Sequence, residues 1–437
     1  MHVPHPSNAA SQRQIQRRAL LGSLAGSTIE WYDFLLYASV APIVFAPQFF
    51  PQSDPVVAVL LAYFGHALTF LIRPFGGIFF AHIGDRMGRK KTLVVTLATM
   101  GIGTMAIGLL PTYAQIGVWA PILLFGCRIA QGLAVGGEWG GALLLAYEYA
   151  PKEKRGFFGA VPQTGVTFGL ILGNLALIAA MLVSGPALFE SFAWRIPFIL
   201  SFVLIFVGLY IRKELDETPA FREVQASGNV QKNPLGATLR KHWREVLVAI
   251  VVKAVETAPF YIYAAFMISY AKSNLGYSSN TTLAAIMVGA VVASLMIPLA
   301  SALSESFGRQ RVYSFGVILL IAVSGPYFLL AESSVVGLII ASVLALGIAW
   351  SFVTATLGTM MSELFRAEVR YTGITLGYQI GAALFSGTAP MLAVWMVDSS
   401  GGHWWPIPVY LAALGLLSLV GVWFASRRRS EHHHITS

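Results

Sequence analysis

The sequence predicts an all-α integral membrane protein, with twelve transmembrane helices in two six-helix pseudo-repeats. Three observations carry that expectation. Of the 437 residues, 56% are hydrophobic and only 11% charged, and mean hydropathy is +0.69. A soluble domain carries about 25% charged residues, so this chain cannot clothe a water-facing surface. Apolar stretches of about 20 residues, the length that crosses a bilayer as a helix, recur from end to end. An open sheet would leave backbone groups unpaired in lipid, which makes helices the default. The third observation is that the two halves of the chain echo each other.

Taken in order, residues 1–19 are polar, without the apolar core or small-residue cleavage site of a secretory leader, and are expected to lie in the cytoplasm. Six spans are expected at 20–47, 56–82, 91–111, 117–147, 157–184 and 194–212, making a first bundle over 20–212. Residues 213–245 are rich in charge and hold Pro219 and Pro234, so they read as a cytoplasmic linker. Spans at 246–271, 282–304, 312–331, 335–362, 371–397 and 405–425 make a second bundle over 246–426, followed by a cytoplasmic tail, 427–437. His432, His433 and His434 read as part of a frayed, solvated tail rather than a metal site.

The net charge is +9, which in a soluble protein would suggest nucleic acid. Placement argues otherwise. With the N-terminus inside, 24 of the 29 lysines and arginines fall in cytoplasmic segments. Arg73, Arg128, Arg195 and Lys253 lie within or at the ends of spans, and Lys272 lies in an outer loop. That asymmetry sets the orientation expected of a bacterial cytoplasmic membrane protein, both termini inside, and removes nucleic acid as a partner. Cys127 is the single cysteine, so no intramolecular disulfide forms.

The repeat shows in two places. Glu148, Glu153 and Arg155 follow the fourth span with the same gaps as Glu363, Glu368 and Arg370 after the tenth, an offset of 215 residues. Gly84-Asp85-Arg86-Met87-Gly88-Arg89 is echoed by Ser304-Glu305-Ser306-Phe307-Gly308-Arg309, an offset of 220. Two matching offsets near half the chain length point to parallel halves related by an axis along the membrane normal.

The loop Ala81-His82-Ile83-Gly84-Asp85-Arg86-Met87-Gly88-Arg89-Lys90-Lys91 resembles the loop between spans two and three of the major facilitator superfamily. Arg128-Ile129-Ala130-Gln131-Gly132 resembles its fourth-span motif. Glu30-Trp31-Tyr32-Asp33-Phe34, Arg73-Pro74-Phe75-Gly76-Gly77, Gly136-Gly137-Glu138-Trp139-Gly140-Gly141 and Trp194-Arg195-Ile196-Pro197-Phe198 are similar to its metabolite:proton symporter family. Members of that family carry shikimate, citrate, 2-oxoglutarate, dicarboxylates, and proline or betaine. The resemblance runs from about residue 20 to 426 and implies the major facilitator fold and alternating access. Ala81 replaces the usual first glycine of the loop motif, and Glu305-Ser306 replace the commoner Asp-Arg pair in its second copy.

Charges inside spans are expensive, about 2.5–3.5 kcal/mol each on insertion scales, so each raises a question of function. Glu30, Asp33 and Tyr37 share one stripe of the first span, and Arg128, Gln131, Val135 and Glu138 share an arc of about 80° on the fourth. An acid beside a buried Arg can stay ionised, and a proton on the acid releases the Arg. In sugar carriers of the superfamily the first-span Asp and fourth-span Arg are the coupling pair, and the resemblance maps those roles onto Asp33 and Arg128, with Glu30 beside them; a static ion pair that orients helices is the other reading. His66, Thr69 and Arg73 share a face of the second span. Arg73 either attracts an anionic substrate or bonds carbonyls near the break at Pro74, and His66 reads as a neutral histidine bonded between helices. On the seventh span Lys253 and Glu256 are three apart, above Phe260 and Tyr263. They read either as a self-neutralising pair or as a switch in which Lys253 holds a substrate carboxylate in one state and Glu256 in the other. Gln163, Asn174, Tyr378 and Gln379 add neutral hydrogen-bonding groups. Gly132, Gly136 and Gly140 form a small-residue stripe for close helix packing.

Asp85, amid Arg86, Gly88 and Arg89, is placed to cap a neighbouring helix N-terminus and to bond across the halves as a conformational latch. Glu148, Arg155, Glu305, Arg309, Glu363 and Arg370 are the other candidates for that latch. The sequence holds no metal cluster, catalytic triad or cofactor loop, which disfavours a membrane enzyme, and paired inner-face loops disfavour a receptor. The expected function is proton-coupled import of a small organic acid or zwitterion, by a carrier working as a monomer among membrane lipids without a cofactor. The alternative is a proton antiporter or exporter of the same fold.

Overall fold

The computed structural model describes residues 9–87, 89–136, 150–151, 155–213, 234–365 and 369–435. Among them, nine helices are long and apolar enough to cross a membrane: α1 Leu20–Phe49, α2 Pro55–Phe80, α5 Gly156–Ala193, α7 Trp243–Ser273, α8 Ser279–Phe307, α9 Arg309–Ser333, α10 Val335–Leu364, α11 Thr372–Ser399 and α12 Pro406–Phe424. Three shorter apolar helices, α3 Val95–Leu109, α4 Trp119–Val135 and α6 Arg195–Gly208, complete the order expected from the sequence.

Helix bounds differ from the expected ones at several points. Residues Pro234–Lys241, placed in the linker, form a helix, and α7 begins at Trp243 rather than 246. Pro234 opens that helix, where a missing N–H does no harm, and Arg240 and Lys241 close it at the favourable end of its dipole. The last helix runs on through Pro406–Ile435, because no proline or glycine stands between Trp423 and Ile435 to stop it.

The packing carries the repeat. In the first half α1 lies along α5, α2 along α4, and α3 along α6; in the second α7 lies along α11, α8 along α10, and α9 along α12. Adding six to each number of the first set gives the second. The halves meet where α5 runs along α8 and α10, and where α2 runs along α11. Those two seams exchange under the same rule. Short π-helical turns interrupt α1 at Ala41–Phe45, α7 at Ile262–Phe266 and α10 at Val343–Ala349. Such turns are frequent at functional sites.

The glycines of the α2–α4 contact explain how close two helices can come. A Cβ added to Gly76 would sit 2.1 Å from the Leu133 carbonyl oxygen, one on Gly132 2.5 Å from that of Thr69, and one on Gly136 2.1 Å from that of Arg73. Gly140, the third glycine of the stripe, lies outside the described residues. Backbone thus meets backbone, which fixes Arg73 and Arg128 relative to each other. Gly136→Ala is expected to destabilise the protein by about 1–3 kcal/mol, the usual cost of overpacking. Thermal melts of purified protein check this, with Gly126→Ala, where an added Cβ meets nothing within 4 Å, as the control that does not lower the melt.

Candidate functional site

Charged and polar side chains that no lipid-facing surface would hold converge at the centre. On α4, Arg128 donates from Nη1 to Gln131 Oε1 at 2.8 Å and from Nε to the Gly65 carbonyl at 3.2 Å. Its guanidinium lies over the Tyr37 ring at 3.9 Å, and Tyr37 is held in place by donating its hydroxyl to the Ala62 carbonyl at 3.0 Å. Gln131 passes the chain on, donating to the Thr104 hydroxyl of α3 at 2.7 Å. Thr104 in turn neighbours Asp33 of α1.

Asp33 is only 2% exposed, and its Oδ1 has no hydrogen-bond partner among the described residues. The expected contact between Asp33 and Arg128 is replaced by this relay through Thr104 and Gln131. Glu30 is buried one turn away, within electrostatic reach of Asp33. Arg73 of α2 is buried with its guanidinium 4.1 Å from both the Phe34 and Phe70 rings. Cation–π contacts of this kind hold a desolvated guanidinium in place.

In the second half, Lys253 and Glu256 of α7 form a buried ion pair. Lys253 Nζ also lies 3.6 Å from the Tyr378 ring centroid of α11. Glu256 Oε1 accepts from the Thr354 hydroxyl of α10 at 3.0 Å, and the Glu256 carbonyl accepts from Trp350 Nε1 at 2.6 Å. Thr354 in turn accepts from Gln163 Nε2 of α5 at 3.3 Å, so the pair is connected to the first half. Further bonds cross between the halves: Gln379 Nε2 to the Gly136 carbonyl at 3.0 Å, the Tyr63 hydroxyl to the Ala265 carbonyl at 2.8 Å, and Thr167 with Ser294 at 2.7 Å. Tyr263 is drawn instead into the second half, its ring centroid 4.4 Å from that of Tyr327. Asn174 accepts from Ser39 at 3.0 Å within the first half.

Arg195 has a structural role that its position at a span end concealed. It donates to the carbonyls of Gly108 at 3.0 Å and Leu110 at 2.5 Å, satisfying the C-terminus of α3 with a cation at the favoured pole of the dipole.

At one face of the bundle, formed by the ends of α8 and α10 and the starts of α5 and α9, three latch residues of the second half find partners. Arg309 and Glu363 form an ion pair, and Glu305 at the end of α8 accepts from the Phe157 amide at the start of α5, 3.2 Å away and across the halves. A carboxylate on a helix N-terminus is worth about 0.5–2 kcal/mol. Glu305→Ala is therefore expected to loosen this face severalfold, seen as faster labelling of Ser301→Cys, a buried α8 position one turn away, in a Cys127→Ser background. Equal labelling rates would remove Glu305 from the closure. Gly88, Glu138 and Glu148 lie outside the described residues, as do the side chains of Asp85, Arg86, Arg89, Arg155 and Arg370.

Trp31, Thr104, Trp350 and Thr354 carry no charge that would mark them in the sequence as site residues. The last two were findable: Trp350 and Thr354 are four apart on a helix with Ser351, Thr356, Thr359 and Ser362, an unusual run of hydroxyls for a span. His66 was expected to be bonded between helices, yet neither ring nitrogen has a partner among the described residues.

Known proteins agree with this architecture. The sequence pattern of the Major Facilitator Superfamily matches residues 24–386. A shikimate transporter of Escherichia coli (strain K12) is 38% identical over 407 residues, 92% of each chain. A proline/betaine transporter of Salmonella typhimurium is 36% identical over 416 residues, 92% of this chain and 82% of that one. Among solved structures, a D-xylose-proton symporter superposes with a TM-score of 0.71 at 17% identity, covering 93% of this chain and 96% of that one, a likeness of fold. With twelve apolar helices in two matched sets among the described residues, and relatives that align over most of their length, the chain belongs to the major facilitator superfamily of multi-pass membrane transporters.

Proposed function

We propose that the protein is a proton-coupled symporter that imports a small organic acid or zwitterion across the bacterial cytoplasmic membrane by alternating access. In this reading Asp33 takes the proton, the Thr104–Gln131–Arg128 chain reports its state to α4, and Lys253 and Glu256 answer a substrate carboxylate from the other half. The observation that carries it is Asp33: a carboxylate 2% exposed whose Oδ1 has no partner among the described residues, in a region where an unpaired charge costs several kcal/mol. A proton relieves that cost, and a carrier can release the proton when the halves reopen. Relatives named for shikimate and for proline and betaine support an organic acid or zwitterion as substrate. The basic residues support an orientation with both termini and the 213–245 segment in the cytoplasm, and the protein works as a monomer, each chain holding a whole set of site residues.

The test is uptake into proteoliposomes with an imposed pH gradient, after a thermal-shift screen has chosen a ligand. Accumulation driven by an acidic exterior is expected. Accumulation driven only by the opposite gradient would make the protein an antiporter. Reporter fusions that place the 213–245 segment outside would overturn the orientation.

A further inference from the structure

Four fully or almost fully buried side chains around Phe34 and Phe260 carry polar atoms without hydrogen-bond partners among the described residues. They are Trp31 Nε1, His66 Nδ1 and Nε2, Arg128 Nη2 and the Tyr261 hydroxyl, on α1, α2, α4 and α7. They form a continuous cluster. Ring centroids of His66 and Tyr261 are 4.7 Å apart, Phe34 lies 6.3 Å from both Trp31 and His66, and the Arg128 guanidinium lies 5.2 Å from the Phe34 ring. Phe260 closes the circle, 6.3 Å from Trp31 and 5.3 Å from Tyr261. Three of the four polar groups come from the first half and Tyr261 from the second, so a ligand touching all of them is held by both halves at once.

Buried polar groups are almost always paired, and each orphan asks for an explanation. Four in one aromatic-walled cluster have the make-up of a ligand site, apolar with a few convergent polar groups. Their chemistry is selective. The indole and guanidinium nitrogens only donate, while a neutral imidazole and a phenol both donate and accept. That set matches oxygen atoms, and hydroxyl groups best. It matches a quaternary ammonium poorly, because two guanidiniums already stand beside Phe34, Arg73 at 4.1 Å and Arg128 at 5.2 Å from its ring, and a further cation there meets like charge.

We propose that Trp31, His66, Arg128 and Tyr261 form the subsite for the uncharged, hydroxyl-bearing part of the substrate, so that the protein selects hydroxylated carboxylic acids over betaine-type zwitterions. The proposal rests on the carrier reading above and narrows it. His66 and Tyr261 are its specificity residues, facing each other across the boundary between halves.

The experiment is equilibrium binding to the purified full-length protein, with no gradient, of three probes: quinate, its hydroxyl-free analogue cyclohexanecarboxylate, and glycine betaine. Quinate is expected to bind at least about tenfold more tightly than either, since a site built to bond hydroxyls strongly rejects a ligand that lacks them. Tyr261→Phe removes one oxygen and His66→Phe keeps a ring in the same place. Each is expected to weaken quinate severalfold while leaving cyclohexanecarboxylate within about twofold, which a merely structural role would not do. Glycine betaine binding as well as quinate, no probe binding, or an unchanged preference in both folded variants would each overturn the proposal. Because this is binding without a gradient, it separates from the coupling test: quinate preference without proton-driven uptake would leave this subsite standing and remove the symport.

Discussion

Asp33→Asn is expected to reduce proton-driven accumulation to the level of empty vesicles while leaving substrate binding and substrate–substrate exchange in place. Asparagine has the shape of the protonated acid and cannot lose the proton. The side chain is 2% exposed and its neighbours Thr104, Gln131 and Arg128 keep their bonds to one another, so the amide meets no missing partner that would unfold the helix. The variant is therefore held in the loaded state. Exchange requires only that the loaded carrier cross and recross, whereas accumulation requires it to unload its proton and return. The two assays, run on the same proteoliposomes, separate those halves of the cycle. If Asp33→Asn still concentrates substrate with the wild-type dependence on pH, Asp33 is structural and Glu30, one turn away, becomes the candidate.

The second large effect is expected at Lys253. Its ion pair with Glu256 is buried, and removing one member of such a pair costs about 3–5 kcal/mol because the other charge is left in the interior. Lys253→Met alone should lower the melting temperature sharply. Lys253→Met combined with Glu256→Gln should recover most of the loss, because both charges are then gone and the volumes are nearly kept. Additive losses in the double variant would mean that the two groups are not energetically joined. Function should not recover with stability: Lys253→Gln is expected to weaken carboxylate binding at least about tenfold and to lose its preference for the acid over the corresponding amide. Should wild type and variant discriminate equally, Lys253 does not read the anion, and Arg73 is the better candidate.

Much of the fold and the main actors were legible in the sequence because a charge in an apolar span stands out in one dimension. Glu30, Asp33, Arg73, Arg128, Lys253 and Glu256 were all found that way, and all are buried. What helical spacing does not contain is the rotation of one helix against the next. Asp33 and Arg128 were read as a direct pair, and the structure interposes Thr104 and Gln131, because α3 brings a hydroxyl between α1 and α4. Arg195, read only as a charge at a span end, proved to be bonded to carbonyls, since the end of α3 reaches it only in three dimensions. Trp31 was hidden for another reason: aromatic residues are common in spans, and only an indole nitrogen without a partner among the described residues sets this one apart.

Four bonds that cross between the halves, Gln163 to Thr354, Gln379 to the Gly136 carbonyl, Tyr63 to the Ala265 carbonyl and Thr167 with Ser294, join neutral groups. Each is worth about 0.5–1.5 kcal/mol net, one to a few times thermal energy. A seam stitched this way peels one stitch at a time and does not wait for a single strong rupture. Loss of any one stitch should change turnover by no more than about tenfold. The carrier thereby tolerates drift at these positions, and its speed is a property of the whole seam that no single residue owns.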